Sequence, residues 1–336
     1  MNAAAKKRRW FDDPRVALDG RYWKPKAEYR VWLAVTAFAL ALAVSLFAPN
    51  AEKVNPVPFQ AVLGAAIFVI IIFYAIGIKN LEIRKKLYHK ADFLTAAALA
   101  VILWEALTVK SGIAPLPYFP SLDAIFAVLV DDRRLVALSA LYSLRLFFTG
   151  LVTGTALGLG TGVLIGWNRH WDYWLSPVIR VTGIVPAVAW LPIALLLLPS
   201  SFAAGVFLIV ISSWFPVSSM AASGIAATPK AFYEVGKTLG ADRRFLLFHT
   251  AIPNAMPSIF MGIQTAAAFS FTTLIVSEMV GAKAGLGFYI NWAKGWGAYA
   301  KVYAAIIIIA VEFSLILAFL GALKHSVLRW QKGFVQ

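Results

Sequence analysis

Glu234-Val235-Gly236-Lys237-Thr238-Leu239-Gly240-Ala241-Asp242, running on to Ile252-Pro253, is a charged stretch set between two apolar segments of membrane length. Its residues specify a helical hairpin. Thr228-Pro229 opens a helix, with threonine as the cap and proline in the first turn. Phe232, Val235 and Leu239 supply an apolar side that Phe245 and Leu246 extend, Gly240 allows a tight bend, and Asp242, Arg243 and Arg244 follow on the polar side. Pro253 and Pro257 mark entry to the next apolar segment. Such a piece suits docking on a partner, or a solvated surface hairpin with none. Gly236-Lys237-Thr238 looks like the end of a phosphate-binding loop, but Ala231 stands where that motif needs a glycine and no strand precedes it. The chain itself is therefore expected to bind no nucleotide.

Apolar residues make up 60% of the chain and charged residues only 14%, outside the range of an ordinary soluble domain. About 20 apolar residues cross a hydrocarbon core. Candidate spans fall at 30–48, 59–78, 91–109, 135–166, 175–198, 202–223, 256–281 and 302–323, an all-α polytopic membrane protein of about eight helices. The net charge of +15 describes orientation rather than nucleic-acid binding. With the N-terminus in the cytoplasm, 22 Lys and Arg fall inside, including the run Lys6 to Arg30 and the loop Lys79 to Lys90, and seven fall outside. That bias follows the positive-inside rule and places both termini in the cytoplasm. The basic start is followed by mixed residues rather than an apolar run, which is wrong for a cleavable signal, so 30–48 reads as a retained span. There is no cysteine, and His89, His170, His249 and His325 are too scattered for a metal site.

Glycines at 150, 154, 158, 162 and 166 lie along one face of the fourth span, a helix contact surface within the subunit or across a dimer. Pro177, Pro186 and Pro192 in span 175–198 each free a backbone carbonyl, in a helix that lines a path or is kinked for structure alone. Ionisable residues at membrane depth face protein or water. Arg145, Glu278 and Glu312 are the candidates, with Arg145 and Glu312 read as paired or snorkelling and Glu105, beside Trp104, as interfacial. Candidate path residues are Ser212, Ser213 and Ser218 in one span and Thr272, Thr273, Ser277 and Glu278 in another, since uncharged hydroxyls suit passing contact with a polar solute. The competing reading is that they bond back to their own helices. No nucleophile motif or carboxylate cluster points to an enzyme.

A glutamate at 234, a glycine six residues later at 240 and Ile252-Pro253 resemble the EAA loop of ATP-binding-cassette importer permeases. From Asp92 to about Trp330 the chain is similar to their nitrate, sulfonate, taurine and bicarbonate branch. Phe119-Pro120-Ser121 before a short helix, Pro186-Ala187-Val188-Ala189-Trp190-Leu191-Pro192, Phe215-Pro216, Gly224, Ser277-Glu278-Met279 and Gly281 with Gly285-Leu286-Gly287 fall in family order. Val235 and Gly236 replace the two alanines of the loop. Thr250, Gln264, Met220-Ala221 and Leu197-Leu198-Pro199 are further departures.

The resemblance implies a type I permease core at 91–330, with coupling loop 229–253, preceded by a basic N-terminus at 1–29 and an extra two-helix extension with its basic loop at 30–90, and followed by a short tail at 331–336. It implies an ATPase-coupling role for Glu234, Gly240, Ala241, Asp242 and Arg243. Glu234 would anchor the coupling helix and Gly240 would permit its turn. It further implies a bacterial inner-membrane location, ATPase subunits carrying ATP and magnesium, a second permease copy, a periplasmic or lipid-anchored binding protein, and a small anion or sulfonate-like solute. No cofactor on this chain and no nucleic acid are expected. An ATP-independent secondary transporter or channel, with 229–253 as a plain loop, is the alternative; a membrane-anchored scaffold is disfavoured by the polar residues and prolines within 175–281.

Overall fold

The computed structural model describes residues 28–47, 55–110, 114 and 117–329, so the basic residues from Lys6 to Lys26 and the tail from Trp330 lie outside the described residues. Regular structure among the described residues is helical throughout. Among the described residues seven helices are long and apolar enough to cross a membrane, or eight if one bent pair is counted as a single span. The chain divides into two units, Met1–Asp132 with Gly297–Ala304, and Arg133–Trp296 with Ala305–Gln336.

In the first unit, α1 (Glu28–Phe47), α2 (Val57–Lys79) and α3 (Leu81–Glu105) are followed by a short α4 (Leu122–Asp131). Val31 and Phe38 of α1, Phe59, Leu63 and Ile70 of α2, and Leu87, Ala91 and Ala98 of α3 form one core. An ion pair of 2.8 Å between Arg30 and Asp92 also joins α1 to α3. Residues 81–105 therefore pack with the two helices before them. Phe68, Phe73, Phe93 and Leu103 point outward, as apolar side chains do toward lipid.

Glu105 is only 1% exposed rather than interfacial. Its Oε1 accepts a hydrogen bond of 3.0 Å from the Leu122 backbone N–H at the start of α4, where a helix favours negative charge. Ser121 caps the same terminus by accepting from Ala124 N–H at 3.1 Å.

The second unit contains α5 (Arg133–Trp167), α6 (Arg169–Ile184), α7 (Leu191–Leu197), α8 (Ser201–Ala226), α9 (Lys230–Thr238), α10 (Arg243–Phe245), α11 (Ile252–Gly281), α12 (Leu286–Gly295) and most of α13 (Tyr299–Val327). The glycine column of α5 meets α8 of the same chain. A Cβ on Gly150 would lie 2.5 Å from Ile209, one on Gly158 2.7 Å from Val217, and one on Gly154 would run into the Ser213 hydroxyl. Backbone approach this close lets small residues replace the missing hydrophobic drive in lipid. On the other side of α8, Gly262 of α11 sits against Met220 and Pro216. Leu146, Phe147, Ile209, Val217, Ala266, Phe271, Leu274 and Ile316 fill the space between α5, α8, α11 and α13. The Phe271 ring stands edge-on to Phe147 at 5.6 Å and stacks on Phe313 at 4.8 Å.

Residues 175–198, expected as one span, are broken instead: α6 and the segment Ala187–Leu197 meet at 90°. Proline chemistry explains where. Val185 precedes Pro186 and is extended, with φ −82 and ψ 119, because the proline ring excludes the helical region for the residue before it. Leu198, before Pro199, ends α7 in the same way with ψ 148.

Candidate functional site

The hairpin between α8 and α11 is held by its own backbone. At the end of α9 the Ala241 N–H donates to Gly236 O at 2.9 Å and the Gly240 N–H to Lys237 O at 3.0 Å. These two bonds, spanning six and four residues, make a Schellman cap, which needs a left-handed residue at its bend. Gly240 supplies it with φ +83. Asp242 then caps the next helix, its Oδ1 accepting from Phe245 N–H at 2.8 Å. A Cβ on Gly236 would lie 2.5 Å from Leu246, so α9 is closed onto the returning chain. Gly236-Lys237-Thr238 is the last turn of a helix rather than a phosphate-binding loop.

Thr228 was expected to cap α9. It does not: the N-cap is Pro229, without a side-chain bond, and Thr228 is buried, its hydroxyl accepting from Asn254 Nδ2 at 3.2 Å. That contact ties the base of the hairpin to α11. Trp167 at the end of α5 packs on Tyr233 of α9, with ring centroids 5.9 Å apart. Leu246 is buried, while Phe232, Val235, Leu239 and Phe245 are all at least half exposed. A rigid hairpin thus projects an apolar side. Glu234, Lys230, Lys237, Arg243 and Arg169 line a cavity of about 640 Å³ at its flank.

The candidate path residues do not converge on one cavity. Ser213 is buried and donates to Ile209 O at 2.8 Å. Ser218, also buried, accepts from Thr161 at 3.1 Å, and Thr161 in turn accepts from Trp214 Nε1 at 2.9 Å. Ser212 lies 3.3 Å from the Ser270 hydroxyl. Thr273 and Ser277 are buried and bond back to Phe269 O and Leu274 O. Thr272 alone of the seven is exposed, and it too bonds back, to Ala268 O.

Glu278 is fully buried. Its carboxylate accepts from the Ser143 hydroxyl of α5 and from the Gly287 N–H at the start of α12. Ser143 carries no sequence signal of its own, because one serine among apolar residues in a long span reads as an ordinary back-bonding hydroxyl. Arg145 lies over the Phe202 ring at 5.0 Å, a cation–π contact. Glu312 neither pairs nor snorkels: it is buried, and neither oxygen has a hydrogen-bond partner among the described residues. No group of His, Asp and Glu able to hold a metal occurs among the described residues.

Long apolar helices interlocked through glycine, with a rigid charged hairpin projecting between two of them, define a polytopic membrane permease. Residues 144–329, more than half the chain, match the family described as the binding-protein-dependent transport system inner membrane component, and the chain belongs to that family. It is thus a transport component of an ABC importer. Similar curated proteins include the aliphatic sulfonates transport permease protein SsuC of Bacillus subtilis, 24% identical over 74% of this chain and 91% of that one. The bicarbonate transport system permease protein CmpB of Synechococcus elongatus is 28% identical over 55% of this chain and 64% of its own. The nitrate import permease protein NrtB of the same organism is 26% identical over 58% and 72%. In fold, an inward-facing structure of the MetNI methionine ABC transporter superposes with a TM-score of 0.50 at 18% identity, covering 59% of this chain and 98% of that one. Residues before 144 lie outside the family match.

Proposed function

We propose that this chain is the membrane-spanning permease subunit of an ATP-driven importer for a small anion or sulfonate-like solute. The observation that carries the coupling part is the hairpin: two caps and a buried base fix its shape while Phe232, Val235, Leu239 and Phe245 stay uncovered. A rigid element with an apolar side is what a partner grips, and ATP-binding subunits are that partner. Glu234 anchors the contact through its charge, and Gly240, Ala241, Asp242 and Arg243 shape and complete it. The solute class is supported by relatives named for sulfonates, bicarbonate and nitrate. Both termini lie in the cytoplasm of a bacterial inner membrane, on the charge bias of the loops. Two permease chains form the path, and a binding protein delivers solute to the outer face. ATP and magnesium stay on the ATPase.

Co-purification of the tagged chain with the ATPase encoded beside it tests this. The wild type is expected to retain the ATPase, and Glu234→Arg and Gly240→Trp are expected to lose it while still inserting. Full retention by both variants with transport still coupled to ATP overturns the coupling role. A wild type that holds no ATPase and transports along an ion gradient puts the secondary-transporter reading in its place.

A further inference from the structure

We propose that Arg180, with Arg169 below it, holds the transported oxyanion in passage through a cavity between α6 and α8. This rests on the reading of the chain as an anion importer. The cavity measures about 430 Å³ and is lined by Arg169, Asp172, Ser176 and Arg180 of α6 and by Ser219 and Ser223 of α8. Positions 169, 176 and 180 are offset by seven and eleven residues, which brings them to one face of a helix, and eleven residues correspond to about 16 Å of rise.

The depth of Arg180 follows from α8. A Cβ on Gly183 would lie 2.5 Å from the Phe215 ring, so this end of α6 is level with the middle of α8, well away from the hairpin end at Ala226. A cation held at membrane depth costs about 2.5 to 3.5 kcal/mol on insertion scales unless water or a partner meets it. Among the described residues no carboxylate pairs with Arg180 or Arg169. Asp172 is engaged by the Ser176 hydroxyl. Two guanidiniums against one carboxylate leave the cavity with one net positive charge, matched to a monovalent oxyanion.

A guanidinium binds planar oxyanions through paired N–H donors, and the Ser219 and Ser223 hydroxyls of the lining donate without adding charge. Two cations some 16 Å apart along one helix face form successive weak stations, and multi-site binding of that kind is what allows an ion both to enter and to leave. Arg180 is the deeper station, and Arg169 the station beside the hairpin, since it also borders the cavity that Lys230, Lys237 and Arg243 line.

The test uses the full chain purified in neutral detergent. Its unfolding midpoint is followed against sodium nitrate, hydrogencarbonate and methanesulfonate, each compared with chloride at equal ionic strength, because a ligand of the folded state raises the midpoint by mass action. Arg180→Gln is expected to weaken the apparent oxyanion affinity about tenfold, and Arg180→Lys less, since lysine keeps the charge but loses the paired donors. Arg134→Gln, which removes a cation outside the cavity, should leave it unchanged. Should Arg180→Gln not insert, Arg169→Gln is expected to weaken binding in the same direction. Equal oxyanion binding by wild type and the cavity variants, or no effect of the wild type beyond chloride, overturns the site. A shift that depends on Arg180 but is produced by phosphatidylglycerol and not by the soluble ions also overturns it. ATPase retention is scored in parallel: retention with unchanged anion binding defeats the site alone, and anion binding lost in Arg180→Gln while the wild type holds no ATPase supports the site and defeats the importer.

Discussion

The Ser143 hydroxyl lies 2.8 and 2.9 Å from the two carboxylate oxygens of Glu278, across 135 residues of sequence. Its one proton goes to the carboxylate, and its oxygen accepts from the Leu286 N–H at 2.9 Å. The Gly287 N–H donates to the same carboxylate at 2.9 Å. Three helices, α5, α11 and α12, therefore meet at one buried carboxylate, and two backbone donors of the first turn of α12, on Leu286 and Gly287, find their acceptors there. Gly285 makes room: its φ is +114, and a Cβ would run into the Glu278 carboxyl.

Ser143→Ala removes the donor to the carboxyl group and the acceptor for Leu286, leaving two buried polar groups each short of a partner. A loss of about 2 to 4 kcal/mol in stability is expected. Glu278→Gln keeps the shape and one acceptor and should cost less, about 1 to 2 kcal/mol. Thermal unfolding of the two variants in the same detergent checks the order. Equal and negligible shifts would show that the pin carries no load.

The glycine column allows a matched comparison on one helix. Gly154→Ala places a methyl on the Ser213 hydroxyl, while Gly160 has nothing within 4 Å of an added Cβ. Overpacking should make Gly154→Ala destabilising by about 1 to 3 kcal/mol. Gly160→Ala should be neutral, or stabilising by up to about 1 kcal/mol through helix propensity. Opposite signs in urea or heat unfolding are the expected result.

At the hairpin, Gly240 also has open space around it, so the cost of Gly240→Ala comes from its positive φ alone, about 1 to 2 kcal/mol. Asp242→Ala removes a cap worth about 0.5 to 2 kcal/mol, and Asp242→Asn largely keeps it. Both losses are local. Amide exchange should quicken across 230–246 in Gly240→Ala and Asp242→Ala, with the protection of α8 unchanged.

The bend at Val185 can be read with spin labels, since the chain has no cysteine to compete for them. Labels on cysteines introduced at 175 and 195 report the angle between α6 and α7. Pro186→Ala lifts the restriction on Val185 and should lengthen or broaden that distance. An unchanged distance would mean that tertiary packing alone sets the 90° turn.

Much of this was legible in the residues. Apolar length located the spans other than 175–198, because lipid permits few backbone solutions, and the four-residue glycine spacing specified a contact face without naming its partner. The bend of Gly240 was legible because only glycine takes that conformation at low cost. What escaped were properties that depend on a distant chain segment. Ser143 gains its role only from Glu278, Thr228 turns from α9 to Asn254, and Glu105 is drawn inward by the start of α4. The bend at 185–186 was visible as proline, but an angle of 90° needs the flanking packing. Arg180 has no signal in the sequence beyond its place within 175–198, and its depth follows from the approach of Gly183 to Phe215.

The interlock of α5 with α8 has a mechanical consequence. Contact through glycine at five successive turns leaves no slack for one helix to slide or flex without the other, so the two act as a single stiff beam. The hairpin begins only three residues beyond the end of α8, and its base is tied to α11. A helix of 26 residues is about 39 Å long, so tilting the beam by about 5° at the hairpin swings its far end by about 3 Å. A force applied at the hairpin would thus be transmitted across the bilayer as leverage rather than dissipated in bending.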